Sequence, residues 1–109
     1  MISQLKLQEQ DVWEAWIEFD HCNPGLFGTL YISGEIAAPP GEYYTKTKIV
    51  ETEYSTQLII QLPARPAGRS RMKEVLYSEP VNRICQYDSV CVYAGTVLLA
   101  RFAEIETLV

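Results

Sequence analysis

The stretch YDSVCVYAGTVLLARF, residues 87–102, decides the fold class of this chain. Its β-branched residues and the Ala94–Gly95 pair are typical of a hairpin, in which a short turn joins two antiparallel strands. A two-residue loop at Ala94–Gly95 pairs Val92 with Val97, whereas a three-residue loop with a bulge shifts that pairing. Either pairing leaves apolar side chains on both faces. We therefore expect both strands to be central, or their outer face to be covered by a helix, another sheet or a second subunit.

A second strand is predicted at WEAWIEFD, residues 13–20, where apolar and polar residues alternate. Trp13 and Ile17 fall on one face and Trp16 falls on the other, which is the period of two of a half-buried strand. A helix is the alternative, with Asp11 as its N-cap and an apolar stripe that includes Trp16. Residues 71–78 are equally open to a strand or a short helix.

Further strands are predicted at GTLYISGEI (28–36), at YYTKTKIVE (43–51) and at STQLIIQL (55–62), each bounded by turn residues. The lysines of residues 43–51 suit the edge of a sheet. Short strands at near-regular spacing predict one all-β domain over residues 1–109, an antiparallel β-sandwich that is immunoglobulin-like in architecture. A small β-barrel is the alternative. The Cys…Trp…Cys spacing of a true immunoglobulin domain is absent.

Composition narrows the class of function. The chain has 109 residues and a net charge of −5, from 14 acidic and 9 basic residues. This balance argues against a nucleic-acid or anionic-membrane binder, which needs a basic surface. No secretory leader or membrane-spanning run is recognised. The chain has three cysteines, an odd number, so we expect a cytoplasmic protein with reduced thiols. We also expect no cofactor.

The stretch DHCNPG, residues 20–25, holds the candidate catalytic residues Asp20, His21 and Cys22. A thiol enzyme needs the imidazole close enough to take the thiol proton. Neighbouring residues of an extended strand point to opposite faces, so only a tight turn could pair His21 with Cys22. The stretch is better interpreted as a strand end and a turn. A hydrolase or metal-dependent enzyme centred on His21 is therefore only the third hypothesis for function.

A zinc site could in principle combine His21 and Cys22 with Cys85 and Cys91, because zinc prefers four such ligands. The spacing Cys85-x5-Cys91 is not that of a short zinc knuckle, and Cys91 lies within a predicted strand. Free thiols acting as small apolar groups are the expected state. We accordingly predict no bound metal.

The stretch RPAGRSRMK, residues 65–73, concentrates the basic residues Arg65, Arg69, Arg71 and Lys73. Guanidinium groups suit phosphates and carboxylates, so this segment could contact an anion or an acidic partner. A solvated loop is the simpler interpretation.

Aromatic side chains give the leading hypothesis. Trp16 and Tyr31 lie opposite the expected core faces of their strands, and Tyr43, Tyr44 and Tyr54 lie in or beside the central polar strand and its turn. Such residues are favoured at protein interfaces. With Cys91 on the outer side of the hairpin, they predict a non-enzymatic module that binds a protein partner or forms a homodimer. The alternative is a barrel that holds a small apolar ligand.

Overall fold

The computed structural model describes residues 12–22, 25–38, 45–64, 71–83 and 86–108. These ranges contain eight strands and confirm the all-β prediction. The strands are β1 Glu14–Phe19, β2 Gly28–Ala38, β3 Lys46–Glu51, β4 Thr56–Leu62, β5 Arg71–Val81, β6 Ser89–Ala94, β7 Val97–Phe102 and β8 Glu106–Leu108.

The strands form two packed sheets, as the sandwich prediction required. Sheet A has the order β5-β2-β1-β8, and sheet B has the order β3-β4-β6-β7. The sheets do not close on themselves, so the barrel alternative is wrong. The pairings β1·β8 and β4·β6 are parallel, which makes both sheets mixed rather than purely antiparallel. Parallel neighbouring strands need a crossover connection. The connection between β4 and β6 contains β5, which belongs to the other sheet.

The core lies between the sheets and follows the alternation of the sequence. In β4 the residues Leu58, Ile60 and Leu62 are each only 1% exposed, as predicted. Sheet A contributes Ile17, Leu30 and Ile32 from β1 and β2. Because every second residue of these strands is apolar, one face of each sheet is removed from water and the other remains available.

Both segments that could have been helices are strands. Residues 14–19 pair with β2 on one side and with β8 on the other, so the helical alternative there is wrong. Residues 71–81 pair with β2 along their whole length. In each case hydrogen bonds to neighbouring strands, which the local sequence does not reveal, decide between the two structures.

The β6–β7 hairpin exists, but its register differs from the one expected. Ala94 pairs with Val97, so the turn residues are Gly95 and Thr96, and a bulge follows at Val92/Tyr93. Gly95 has a φ of 61°, a backbone conformation that favours glycine. The pairing of Val92 with Val97 is therefore wrong, and Val92 pairs with Ala100. The predicted edge position of the lysine-bearing strand is confirmed, because β3 ends sheet B.

Trp13 packs against Gly34 at one end of the core. The Trp13 side chain is buried and packs directly over Gly34 of β2. A Cβ atom at residue 34 would fall on the indole ring. Glycine is thus required there by the close approach of the ring.

Candidate functional site

The candidate site is the outer face of sheet A, which carries Trp16 and Tyr31 at its centre. The two residues are cross-strand partners on β1 and β2. Their rings stack with centroids 5.4 Å apart and an angle of 18° between planes. The Trp16 indole Nε1 also donates a hydrogen bond of 3.4 Å to Glu18 Oε1. The aromatic pair predicted to face away from the core is therefore present, half-buried and preformed.

Exposed glutamates surround this pair, and we call the whole surface the acidic aromatic face. Alternation and strand register place it on the side of sheet A that faces away from the core. Among the described residues of this face there is no lysine or arginine. The face consists of Trp16, Tyr31, Glu14, Glu18, Glu35, Glu74 and Glu106.

The sheet places two of these glutamates opposite each other on neighbouring strands. Glu35 of β2 and Glu74 of β5 are direct cross-strand partners. Like charges directly opposite each other destabilise a sheet. Together with Glu14 they line a depression of about 570 Å³, which also includes the exposed side chain of Leu76. The depression therefore offers negative charge and an apolar contact side by side.

A second depression lies on the other side of Trp16. It has a volume of about 490 Å³ and is lined by Glu14, Trp16, Glu106 and Leu108, among others. Trp16 thus stands between two shallow depressions, each with carboxylates in its wall. A chain crossing the strands could contact both depressions and the ring between them.

The outer face of sheet B has the opposite charge. It presents the exposed side chains of Lys46, Lys48 and Arg101, with no acidic residue among its described positions. The sandwich therefore has one acidic and one basic outer face. Arg101 has a cross-strand partner in Cys91.

Cys91, which was predicted to join the partner surface, lies on this outer side of sheet B and is only 2% exposed. Gln57 Nε2 lies 3.1 Å from its sulfur. Burial raises the pKa of the Cys91 thiol, and Arg101 opposes that effect. The structure therefore does not bring Cys91 to the face that carries Trp16, and the thiol is protected from solvent.

The stretch around His21 forms a bend after β1. The Cys22 backbone N–H donates to Asp20 Oδ1 at 2.8 Å, and the His21 ring packs edge-on against Phe19 at 4.8 Å. His21 and Cys22 are both exposed, and no hydrogen bond joins their side chains. Within the described ranges no group of three or more histidine, cysteine, aspartate or glutamate side chains could hold a metal ion. The arrangement is that of a turn stabilised by its own aspartate.

Tyr43, Tyr44, Arg65, Arg69 and Cys85 lie outside the described residues. The anion contact predicted for residues 65–73 stays a prediction.

Other predicted residues lie away from the acidic aromatic face. Arg71 begins β5, and Lys73 pairs with Ile36 on the core side of the same strand. Tyr54 is 89% exposed in the turn between β3 and β4.

Sequence reasoning missed a carboxylate held by two tyrosines. Glu79 accepts hydrogen bonds from Tyr77 Oη at 2.9 Å and from Tyr87 Oη at 2.8 Å, one on each carboxylate oxygen. Burial, followed by the Glu79 hydrogen bond, raises the pKa of Tyr77 to about 12. Tyr87 precedes β6 and reaches Glu79 only because the sheets pack together. The sequence holds no local signal for this cluster.

Comparison of the chain with protein-family models, with curated proteins and with solved structures gave no match. Within the described part of the chain, no helix has the length and apolar character needed to span a membrane.

Proposed function

We propose that this protein is a non-catalytic interaction module that binds a basic segment of a partner protein on its acidic aromatic face. The observation that supports this most directly is the stacked Trp16–Tyr31 pair set among exposed glutamates. Aromatic rings supply a large contact area at low entropic cost, and carboxylates select the charge of the partner. The proposed partner therefore contributes arginine or lysine side chains.

Cation–π attraction suits this surface. A guanidinium or ammonium group over an exposed tryptophan ring gains about 0.5–1 kcal/mol. Stacking on Tyr31 fixes the plane of the Trp16 ring, so little side-chain entropy is lost when a cation settles on it. Glu14 and Glu18 flank Trp16 along β1, where they can pair with the same cation.

The Glu35–Glu74 pair adds a second contact for a basic residue. A cation placed between these two carboxylates would relieve their mutual repulsion, so it would bind and stabilise the sheet at once. The neighbouring Leu76 side chain would pack against the aliphatic part of an arginine or lysine. Two basic residues of an extended segment would thus occupy Trp16 and this depression.

A symmetric homodimer through this face is disfavoured by charge. A two-fold axis would place the glutamates of one copy against those of the other, and such like-charge contacts oppose association. We therefore prefer a different, basic partner over the homodimer. We also propose a cytoplasmic location, which the free thiols of Cys22 and Cys91 support.

The experiment titrates the purified protein with a nine-residue peptide of alternating arginine and glycine, and with its glutamate counterpart. Binding is followed by tryptophan fluorescence and by two-dimensional NMR. We expect only the arginine peptide to bind. The variant carrying Glu35→Gln and Glu74→Gln should bind roughly tenfold more weakly, since two close charges are lost.

The matched control carries Glu51→Gln and Glu53→Gln, which remove the same charge from exposed positions in and beside β3. Its affinity for the arginine peptide should be unchanged. Equal weakening in both variants would show that peptide affinity depends only on net charge, and this result would contradict the proposal. Self-association that depends on concentration and is lost in the Glu35/Glu74 variant would instead identify the basic outer face of a second copy as the partner.

A further inference from the structure

A cavity of about 420 Å³ opens at one end of the sandwich, between sheet A and the segments that connect it to sheet B. Its inner wall is formed by Ile17, Leu30 and Val81, all buried core residues of sheet A. Ile105 and the Tyr87 ring add further apolar surface at the sides. The cavity is therefore continuous with the hydrophobic core but reachable from solvent.

Two crossings of the chain frame the opening. One links β5 to β6 and contributes Gln86 and Asp88, and the other links β7 to β8 and contributes Ala103 and Glu104. Both segments leave one sheet for the other at this end. The gap between the crossings is thus built by the topology of the fold.

The rim of the cavity is acidic. The Asp88 carboxylate accepts the Thr56 backbone N–H at 2.6 Å through Oδ2, which fixes its position. Glu104 is exposed on the opposite crossing. No lysine or arginine is among the described residues that line the cavity. An occupant therefore meets apolar side chains inside and negative charge at the opening.

We infer that this cavity binds a small amphiphilic molecule with an apolar body and a cationic amine head. Its volume lies in the range of small-molecule sites, which is about 300–1,000 Å³. Leu30 and Val81 are each 1% exposed and close the inner end, so an extended peptide cannot pass through. The apolar body would displace water from the inner wall, and the amine would lie between Asp88 and Glu104.

This site is independent of the proposed partner surface. The cavity opens at the end of the sandwich, whereas the acidic aromatic face is the outer side of sheet A. The two sites share no lining residue among those described.

The test uses octylammonium and octanoate, which have chains of the same length and heads of opposite charge. Each is titrated into the full chain and followed by two-dimensional NMR. We expect octylammonium to shift the amide signals of Ile17, Val81, Tyr87 and Ile105, and octanoate to bind roughly tenfold more weakly. Equal affinity for the two probes, or no shift at these residues, would overturn the inference. Octylammonium shifts confined to the surroundings of Trp16 would overturn it as well.

Two variants separate the roles of charge and space. Glu104→Gln should reduce the preference for octylammonium over octanoate, while Glu53→Gln, which removes an exposed charge that does not line the cavity, should leave it unchanged. Ala103→Trp should block both probes, because residue 103 is exposed at the opening. The dispersion of the NMR spectrum of each variant reports whether the fold is kept. A folded Ala103→Trp protein that still binds octylammonium in full would overturn the inference.

Discussion

A single side chain at the edge of the core links two separate segments of this fold. Glu79 faces inward from β5, yet each of its carboxylate oxygens accepts a tyrosine hydroxyl. A carboxylate can remain partly buried when hydrogen bonds satisfy it, since the cost of removing it from water is then largely offset. This cluster ties the segment before β6 to the sheet-A edge strand.

The cluster predicts a loss of stability at alkaline pH. The pKa of Tyr77 is raised from 10.0 to about 12, so the folded protein favours the neutral phenol. The neutral Tyr77 hydroxyl contributes fully to the free energy of unfolding below pH 10. This contribution is lost as the pH rises from 10 to 12. Urea unfolding between pH 9 and 12 should show this fall, and it should be smaller in Tyr77→Phe. Ultraviolet titration curves of the parent protein and of Tyr77→Phe that differ near pH 10 rather than near pH 12 would contradict the assignment.

Gly34 is a residue whose replacement has a defined steric result. Gly34→Ala would place a methyl group on the buried Trp13 ring, so the ring must move out of the core. Overpacking of this kind costs about 1–3 kcal/mol. Urea unfolding should therefore show a lower free energy of unfolding for Gly34→Ala. Ser33→Ala, one residue away on the outer face, is the control and should change stability little.

Among the elements, the edge strands determine whether molecules of this protein associate edge to edge. β5 is an edge strand of 11 residues, long enough to pair with another chain. Lys73 lies on its core-facing side, opposite Ile36, and Pro80 lacks an N–H near its end. Inward charges and prolines are the devices that discourage edge-to-edge pairing.

We therefore expect Lys73→Val to promote association through β5. The substitution removes the inward charge and extends the apolar core side of the strand beside Val75. Light scattering should show species larger than the parent protein at equal concentration. Lys48→Val, on the outer side of β3, removes the same charge without changing the core-facing side of an edge. If both variants associate equally, an added valine on an edge strand, rather than the loss of the inward lysine, is the cause.

The hairpin shows what the sequence could and could not predict about an element. Its existence followed from β-branched residues around Ala94–Gly95, but two different turns satisfied that local pattern. The register was chosen by β4: Leu62 O accepts the Gly95 N–H at 3.1 Å, and Gln61 Nε2 donates to Gly95 O at 2.7 Å. Because β4 lies far from Gly95 in sequence, no local rule could supply that choice.

For the whole molecule, alternation predicted the sandwich and the outward position of Trp16 and Tyr31. It could not predict which strands are neighbours, since the parallel pairs β1·β8 and β4·β6 join distant segments. The acidic aromatic face depends on that pairing, because Glu106 reaches Trp16 through β8 and Glu74 reaches Glu35 through β5. The two aromatic residues were therefore predictable, and the glutamates around them were only partly so.

The separation of charge between the faces predicts a salt dependence. With a net charge of −5 and glutamates gathered on one face, self-repulsion weakens the folded state at low ionic strength. Raising the salt from about 10 mM to 150 mM shortens the Debye length from about 30 Å to 8 Å and screens this repulsion. The thermal midpoint should rise by about 3 °C.

The variant carrying Glu35→Gln and Glu74→Gln tests the origin of that dependence. It should unfold at a higher temperature than the parent protein in low salt, and its midpoint should respond less to added salt. A midpoint in low salt below that of the parent protein would show that the Glu35–Glu74 pair is not a source of repulsion.

The pairing of β1 with β8 has a consequence for the protein as it is being synthesised. β1 and β2 can form a hairpin early, but the other side of β1 stays unpaired until β8 has left the ribosome. During that interval a nascent chain exposes unpaired backbone groups beside Ile17 and Trp16, where a second nascent chain could pair. The interval between the synthesis of β2 and that of β8 should therefore set how long this side of β1 is open to pairing with another chain.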